Sequence, residues 1–174
     1  MNLPKRKSVK VLLLNESNEL LLIQVDDPKT TAMDGKSQGL FWCLVGGGIE
    51  SGETVQEAAI REIYEEVGLS KEDIQLGPIV WHGSFDFVRI GEPTHMEEQF
   101  IVCKTKKSDV NPAGLNAWEK SVIKKMKWFC LQEIKSCPQT IYPVVLPKYL
   151  PEILAGKYPE EPIELEMSSG AREL

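Results

Sequence analysis

The chain has 174 residues, 42% of them hydrophobic, with 20 basic and 26 acidic side chains and a formal net charge of −6 at pH 7. This length suits one well-packed domain and is short for two, so we expect a single domain over residues 1–174. The acidic balance, with no basic run beyond Lys5, Arg6 and Lys7, disfavours nucleic acid as the main ligand, because binding a phosphate backbone requires concentrated positive charge.

Cysteine spacing and hydropathy indicate the compartment of the protein. The four cysteines are Cys43, Cys103, Cys130 and Cys137. No two of them have C-x-x-C spacing, which favours reduced thiols in a cytoplasm. No segment reaches the roughly 18 apolar residues of a membrane span, and the apolar residues 11–14 are too few for a signal-peptide core. We therefore expect a soluble cytoplasmic protein that does not bind membranes.

The N-terminal part of the chain predicts strands. Residues 8–14 and 19–25 are separated by a polar turn, which indicates a hairpin. Residues 41–45 are predicted to form a short apolar strand that leads into a glycine turn, made of Gly46, Gly47 and Gly48. The connection at residues 26–39 is long for a loop, so it is either a functional loop that helps to select a substrate or a disordered insertion.

The next predicted element is a helix over residues 55–67. Thr54 and Glu57 form a capping box at its start, and Gly68 suits the left-handed conformation of a C-cap. At about 100° per residue, aliphatic residues fall in one arc and three glutamates fall on nearly the opposite side. The aliphatic residues are Ile60, Ile63 and Val67, and the glutamates are Glu62, Glu65 and Glu66.

The three glutamates indicate a bound cation. Like charges at i,i+3 and i,i+4 each cost about 0.2–0.5 kcal/mol on an isolated helix, so a sequence shaped only for stability favours Lys among them. Carboxylate oxygens without His or Cys suit Mg²⁺ or Mn²⁺, and the small Ala58 leaves room for such an ion. For three glutamates alone, a solvated helix whose acids bind nothing is the better expectation.

Beyond the helix, β-branched and aromatic residues predict further strands, at residues 74–84, 85–90, 99–104 and 124–129. Residues 146–154 are predicted to form a helix despite Pro147 and Pro151. The last segment, from about residue 157, is rich in Pro and Glu and is expected to be loosely ordered. This order of elements indicates an α/β fold.

The run from Gly47 to Leu69 fits one pattern, G-x5-E-x7-R-E-U-x-E-E-x-G-U, in which U is aliphatic. The fixed positions are Gly47, Glu53, Arg61, Glu62, Ile63, Glu65, Glu66, Gly68 and Leu69. At all of them the chain resembles the signature of the Nudix (MutT-like) hydrolases, and so many specified positions in one short window leave little scope for chance. One departure is Val45, where many family members have proline; the change affects the rigidity of the turn rather than a ligand.

The resemblance implies a Nudix fold, an α/β/α sandwich around a mixed sheet. It also implies a metal-dependent attack of water on a phosphorus of a diphosphate linkage in a small nucleotide, either a nucleoside diphosphate linked to another group or a nucleoside triphosphate. Divalent ions held by carboxylates neutralise the charge of such a substrate and of its leaving group. By this resemblance, Glu62, Glu65 and Glu66 are catalytic ligands of Mg²⁺ or Mn²⁺.

The resemblance also implies roles for residues around these acids. Arg61 matches the arginine that orients them through a salt bridge, and Glu57 is a second possible partner for it. Glu53 is expected to reach either the metal or Arg61. Three glycines permit positive φ and let a phosphate or a metal approach the main chain, which makes them candidate substrate-binding residues. They are Gly46, Gly47 and Gly48.

One more carboxylate is expected from the loop predicted at residues 91–98, because family members often supply one there to a metal or to the attacking water. Glu97 and Glu98 point to opposite faces if the strand already begins there, so one can face the site, and we favour Glu98. His95 is either a base near neutral pH or a surface residue. Four aromatic residues are candidates to stack on a nucleobase, of which we expect at most one to do so: Trp42, Trp81, Phe85 and Trp128.

Three other functions are weighed against the hydrolase. A non-catalytic module that binds a nucleotide requires degenerate metal ligands, and none are seen. An isomerase of isoprenoid diphosphates requires a catalytic cysteine and a dedicated histidine metal site, to which a chain with two histidines is a poor match. An RNA-end hydrolase keeps the chemistry, but the acidic balance and the lack of an RNA-binding extension count against it. A homodimer is compatible with the resemblance.

Overall fold

The computed structural model describes residues 2–37, 39–112 and 114–167. Its strands are β1 (Lys5–Leu14), β2 (Leu20–Asp26), β3 (Thr30–Thr31), β4 (Leu40–Gly48), β5 (Ile74–Arg89), β6 (Glu92–Thr105), β7 (Ile123–Phe129) and β8 (Ile163–Glu164). Its helices are α1 (Val55–Val67), α2 (Ala117–Val122), α3 (Leu131–Ser136) and α4 (Leu146–Leu154), and a 3-10 turn covers Lys71–Asp73.

The strands form one mixed sheet in the order β3-β5-β6-β1-β4-β2-β7, with β8 beside β5. The central pair β1 and β6 and the pair β5 and β8 run parallel, and the other neighbours run antiparallel. Within β4, residues 40–44 pair with β2 and residues 45–48 pair with β1. The predicted hairpin is therefore right at its turn, where Leu14 pairs with Leu20, and wrong along its strands, because β4 enters between them.

Alternate side chains of β1 enter two apolar layers. Val9, Val11 and Leu13 pack on one side of the sheet, against α1 residues that include Ile63 and Val67. Leu12 and Leu14 pack on the other side, against residues of α3 and α4 that include Ile134, Leu146 and Leu150. Helices thus cover both faces of a mixed sheet, and the predicted α/β fold is confirmed.

Helix α1 has the bounds that the sequence predicts. The Thr54 side chain accepts a hydrogen bond from the Glu57 N–H at 3.1 Å, and the Glu57 carboxylate accepts one from the Thr54 N–H at 2.8 Å. Gly68 ends the helix with φ +76°. Because the Glu57 carboxylate completes this cap, the predicted alternative in which Glu57 pairs with Arg61 is wrong.

The β5–β6 hairpin is longer and more continuous than predicted. β5 is one strand where the sequence indicated two, and β6 begins at Glu92, so His95, Glu97 and Glu98 are strand residues rather than loop residues. The turn consists of Ile90 and Gly91, which have φ +51° and +79°. Two consecutive positive φ values match the twist of antiparallel strands, but isoleucine is a poor sequence signal for such a turn.

Three other segments differ from expectation. β4 continues through Gly48, so the glycines extend a strand rather than form a separate turn. Within the loop predicted at residues 26–39, β3 pairs with β5; Gln38 lies outside the described residues. The segment expected to be loosely ordered from residue 157 instead contains β8 and the buried Leu165, and residues 168–174 lie outside the described part of the chain.

Helices α3 and α4 form the layer opposite α1. Helix α4 has its predicted bounds, and α2 and α3 had no prediction because each is about two turns or less. None of the helices in the described ranges is both long enough and apolar enough to span a membrane.

Candidate active site

Arg61 of α1 connects four groups near the start of the helix. Its Nε and Nη2 donate to the two carboxylate oxygens of Glu53 at 2.6 and 3.0 Å, and its Nη1 donates to Glu62 at 2.9 Å and to Glu65 at 3.3 Å. Nη2 also donates to the Gly48 carbonyl at 2.9 Å. All the N–H donors of the guanidinium are therefore in use.

Glu53 is fully occupied by these contacts. Both of its oxygens bind Arg61, and one also accepts the Glu50 N–H at 2.9 Å. The hydrogen bonds from Arg61 lower the pKa of the Glu53 carboxyl, and the same contacts raise the pKa of the Arg61 guanidinium further. Of the two positions predicted for Glu53, the structure has the one on Arg61.

The glycines at the end of β4 give the acidic side chains room. A Cβ at Gly47 would lie 2.4 Å from Glu62 Oε1, and a Cβ at Gly46, where φ is +145°, would lie 2.0 Å from the Val9 carbonyl oxygen. A Cβ at position 46 would collide with the backbone of β1, so β4 can run this close to β1 only with glycine there, whereas a Cβ at position 47 would displace the Glu62 carboxylate. The Glu62 carboxylate consequently lies directly on the strand backbone.

Three carboxylates are buried next to this backbone. Glu62, Glu66 and Glu98 are 6%, 6% and 7% exposed, whereas the side chain of Glu65 is 37% exposed. Glu98 lies on β6 and accepts a hydrogen bond from Ser8 Oγ at 3.1 Å. The sequence predicted that Glu62 and Glu66 lie opposite the apolar face of α1. Instead, both side chains pack against the sheet together with that face.

The buried carboxylates destabilise one another. Burial, followed by the charge of Glu62, raises the pKa of the Glu66 carboxyl well above its usual range. Burial also raises the pKa of Glu65, with a further contribution from Glu62, although Arg61 opposes it. A buried cluster of negative oxygens is stabilised by a cation.

This donor set fits a divalent cation in its chemistry. The ligands on offer are carboxylate oxygens, the type that Mg²⁺ and Mn²⁺ prefer. Within the described ranges, no three His, Cys, Asp or Glu side chains already stand at ligand spacing. Binding an ion here requires a change in the rotamers of these acids.

Lys10 is a charged residue of this site that the sequence analysis missed. It lies in the middle of β1, where it pairs with Gly46 of β4 and Phe100 of β6. Burial alone lowers the pKa of its ammonium, but the charges of Glu98, Glu66 and other nearby groups raise it above the usual value. A lysine inside the apolar run of residues 9–14 was the available signal, because lysine is rarely buried without a negative partner.

A cavity of about 250 Å³ is lined by Glu98, one of the three buried carboxylates. Lys10, Cys43 and Glu98 are among its polar residues, and its apolar wall contains Phe41, Phe85, Phe87, Met96, Tyr142, Val144 and Met167. The rings of Phe41 and Tyr142 meet edge to face at 5.3 Å, and those of Phe85 and Phe87 are 5.6 Å apart. Such a wall suits a flat aromatic group.

Phe85 is the one aromatic candidate of the four that lines this cavity in the described structure. Trp42 is buried in the core and donates to Gln139 at 2.7 Å. Trp81 is also a core residue, and Trp128 donates to the Ser108 carbonyl at 2.9 Å. These partners explain why the other three rings are directed elsewhere.

The neighbours of Glu98 on β6 point away from the cavity. Glu97 pairs with Lys5 at 3.4 Å, with both side chains exposed. His95 Nδ1 lies 2.6 Å from Asp86 on β5, at the half-exposed surface of the hairpin. The strand alternation thus brings Glu98 to the cavity, together with Met96, and it does not bring Glu97 or His95 there.

Comparisons with known proteins give a family match and related folds. A family model described as the NUDIX domain matches residues 4–149. The Mus musculus protein named 8-oxo-dGDP phosphatase NUDT18 is 32% identical over 153 residues, which are 82% of this chain and 43% of that protein. The chain therefore spans less than half the length of this relative.

Solved structures share the fold at low sequence identity. The Escherichia coli dihydroneopterin triphosphate pyrophosphohydrolase superposes with a TM-score of 0.63 at 18% identity, covering 89% of this chain and 99% of that one. The MutT protein from Methanosarcina mazei Go1 gives a TM-score of 0.57 at 21% identity, covering 90% and 97%. Their likeness concerns the arrangement of the sheet and helices.

Proposed function

The chain belongs to the family defined by the NUDIX domain, and from this premise we propose that it is a metal-dependent pyrophosphohydrolase of a small nucleotide. The observation that carries the proposal is a set of buried carboxylates, Glu62, Glu66 and Glu98, of which Glu98 lines an aromatic cavity. A charged diphosphate and an attached ring require these two environments side by side. The relatives' names are consistent with such chemistry.

We assign the metal-binding role to Glu62, Glu65 and Glu66, with Mg²⁺ or Mn²⁺ as the ion. When bound, the cation neutralises charge on the diphosphate and on the leaving group. Arg61 keeps Glu62 and Glu65 on the correct side of α1, and Glu53 fixes Arg61 from the other side. Arg61 and Glu53 are thus positioning residues, whereas Glu62 and Glu66 are the ligands that matter most.

Glu98 and Lys10 have the remaining charged roles in the proposal. Glu98 lies at the junction of the acidic cluster and the cavity, where its carboxylate can hold a water or complete the ligand set. Lys10 lines the same cavity and makes no hydrogen bond or ion pair within the described residues, so its donors are available to a bound substrate. An ammonium here is suited to a phosphate oxygen of an otherwise repelled anion.

The cavity is proposed to take the base of the nucleotide. Pockets that enclose a whole drug-sized ligand occupy roughly 300–1,000 Å³, and this cavity of about 250 Å³ is smaller. It therefore suits one ring system, with the sugar and the phosphates lying toward Glu98 and the glycines.

The free cysteines support a reducing compartment such as the cytoplasm.

The test is hydrolysis of a panel of nucleoside triphosphates, nucleotide sugars, ADP-ribose and dinucleotides, each with Mg²⁺, Mn²⁺ or EDTA. We expect metal-dependent release of a nucleoside monophosphate or phosphate from one class, abolished by EDTA. Nucleotide binding without turnover across the panel would contradict the proposal and favour a non-catalytic binding module.

A further inference from the structure

Residues 163–167 form a strap across the end of the sheet, outside the part of the chain that matches the family model. Ile163 and Glu164 pair in parallel with Trp81 and His82 of β5. The Leu165 N–H donates to the His82 carbonyl at 2.8 Å, and the Leu165 side chain is 4% exposed in the core layer that contains Trp81. Backbone pairing and apolar burial therefore anchor the strap.

Gly83 of β5 makes room for the end of this strap. A Cβ there would lie 2.4 Å from Cγ and 2.9 Å from Sδ of Met167. Gly83 lies within a regular stretch of β5 and β6 pairing, and its φ is not in the left-handed region. The glycine thus leaves space rather than providing a special backbone conformation, and Met167 fills that space.

Met167 reaches the cavity from this position. It lines the same wall as Phe85 and Met96, and it also packs against the core layer that contains Leu165, two residues earlier. In a cavity of about 250 Å³, the loss of one long side chain changes both the volume and the contact area appreciably. A thioether is also flexible and polarisable, which suits contact with a flat ring.

We infer that Met167 is a specificity-determining residue for the ring of the substrate, and that Gly83 is the positioning residue that lets it reach the cavity. The inference rests on the proposed function insofar as the ring is that of a nucleotide. It assigns one wall of the ring subsite to a segment that follows the family domain. Changes in this strap then alter which ring is accepted without altering the hydrolytic chemistry.

The kinetic test is a double-mutant cycle on the substrate that the wild type hydrolyses. Met167→Ala is expected to raise KM on the order of tenfold, as expected for lost apolar contact area, and to leave kcat within about twofold. Gly83→Ala displaces Met167 and is expected to cause a similar rise. Gly77→Ala, in the same strand, is the control for general strain in β5, because its Cβ meets Val102 at 3.3 Å and not Met167.

The double variant gives the sharpest result. Once Met167 is alanine, the atoms that crowd a Cβ at position 83 are absent, so Gly83→Ala should add nothing to the KM of Met167→Ala. Additive effects of the two substitutions would overturn the positioning role of Gly83. An unchanged KM in Met167→Ala, with the wild type active, would overturn the specificity role of Met167.

A second readout needs no turnover. With ¹³C-methyl-labelled methionine, adenosine or guanosine monophosphate is titrated in EDTA, and Met167→Ala assigns the Met167 signal by deleting it. The Met167 and Met96 methyls should shift, whereas Met126, which packs on the α1 side, should not. If the Met167 and Met96 methyl signals shift but the protein hydrolyses no substrate, the proposed hydrolase activity is refuted and the proposed ring subsite stands. An unmoved Met167 signal beside a shifted Met96 would overturn the inference.

Discussion

The acidic end of the site and its aromatic end are built by different interactions. At the acidic end, Arg61 uses every donor, Glu53 binds it through both oxygens, and the glycines fit the Glu62 carboxylate against the backbone. At the aromatic end, apolar side chains from β4, β5, β6, residues 142–144 and the strap meet around a cavity. Directional hydrogen bonds hold the first region, and packing holds the second.

Because of this difference, we expect the acidic end to determine turnover and the aromatic end to determine which substrate is preferred. Charge-assisted hydrogen bonds tolerate little change in geometry, so substitutions at the acidic end should lower turnover. Apolar packing tolerates conservative changes of shape, so substitutions at the aromatic end should mainly change KM and the preferred ring. A protein built in this way can change its substrate without rebuilding the site of hydrolysis.

The largest effect is expected from Glu66→Gln. The substitution removes a charge from the buried cluster while preserving side-chain shape, so kcat should fall by roughly a hundredfold or more. The melting temperature should stay the same or rise, because a buried carboxylate that is destabilised by Glu62 has been neutralised. Glu72→Gln, at an exposed position, is the matched control. Wild-type turnover in Glu66→Gln would contradict the assignment of the acidic end.

Arg61→Lys is expected to have the next largest effect. A lysine keeps the charge but cannot reproduce the planar set of contacts to Glu53, Glu62 and Gly48. Metal affinity and kcat/KM should fall by about 10–100-fold, as for other partners that orient metal ligands. Calorimetric titration with Mn²⁺ measures the affinity. Lys107→Met, which breaks the ion pair with Asp73, should change neither quantity, and equal losses in both variants would point to general destabilisation instead.

The two regions also differ in how far their structure follows from the sequence. The bounds of α1 and its glutamates were predictable, because capping and helical spacing are local signals. The burial of Glu62 and Glu66 was not, since it depends on how close β4 approaches. Phe85 was a candidate from the sequence, but the other walls of the cavity, such as Phe41, Met96 and Met167, were not, because they come from distant segments. The tight turn at Ile90 and Gly91, which sets the register of β5 and β6, also carries no strong sequence signal.

Lys10→Met tests the junction of the two regions. Methionine keeps much of the length of lysine without its charge, so KM for the phosphorylated substrate should rise on the order of tenfold with kcat less affected. Binding of the corresponding nucleoside, which has no phosphate, should stay within about twofold if Lys10 contacts a phosphate. Lys10→Arg should recover part of the loss. Equal loss of affinity for nucleoside and nucleotide would instead place the ammonium on the base.

The smallest effect concerns the thiol of Cys43, at the floor of the cavity. Burial raises its pKa to about 11, so only about one thiol in a thousand is ionised at pH 8. Alkylation by iodoacetamide should therefore be slow at pH 8 and quicken about tenfold per pH unit up to pH 11, because the thiolate is the nucleophile.

A bound nucleotide should slow the reaction at Cys43. It should not affect Cys103, whose pKa is raised by burial to about 12. Peptide mapping by mass spectrometry separates the two sites. Because the thiol belongs to the packed region, protection that depends on the base and not on the phosphates would show that the ring binds in the cavity. If no nucleotide protects Cys43, the ring does not bind in the cavity.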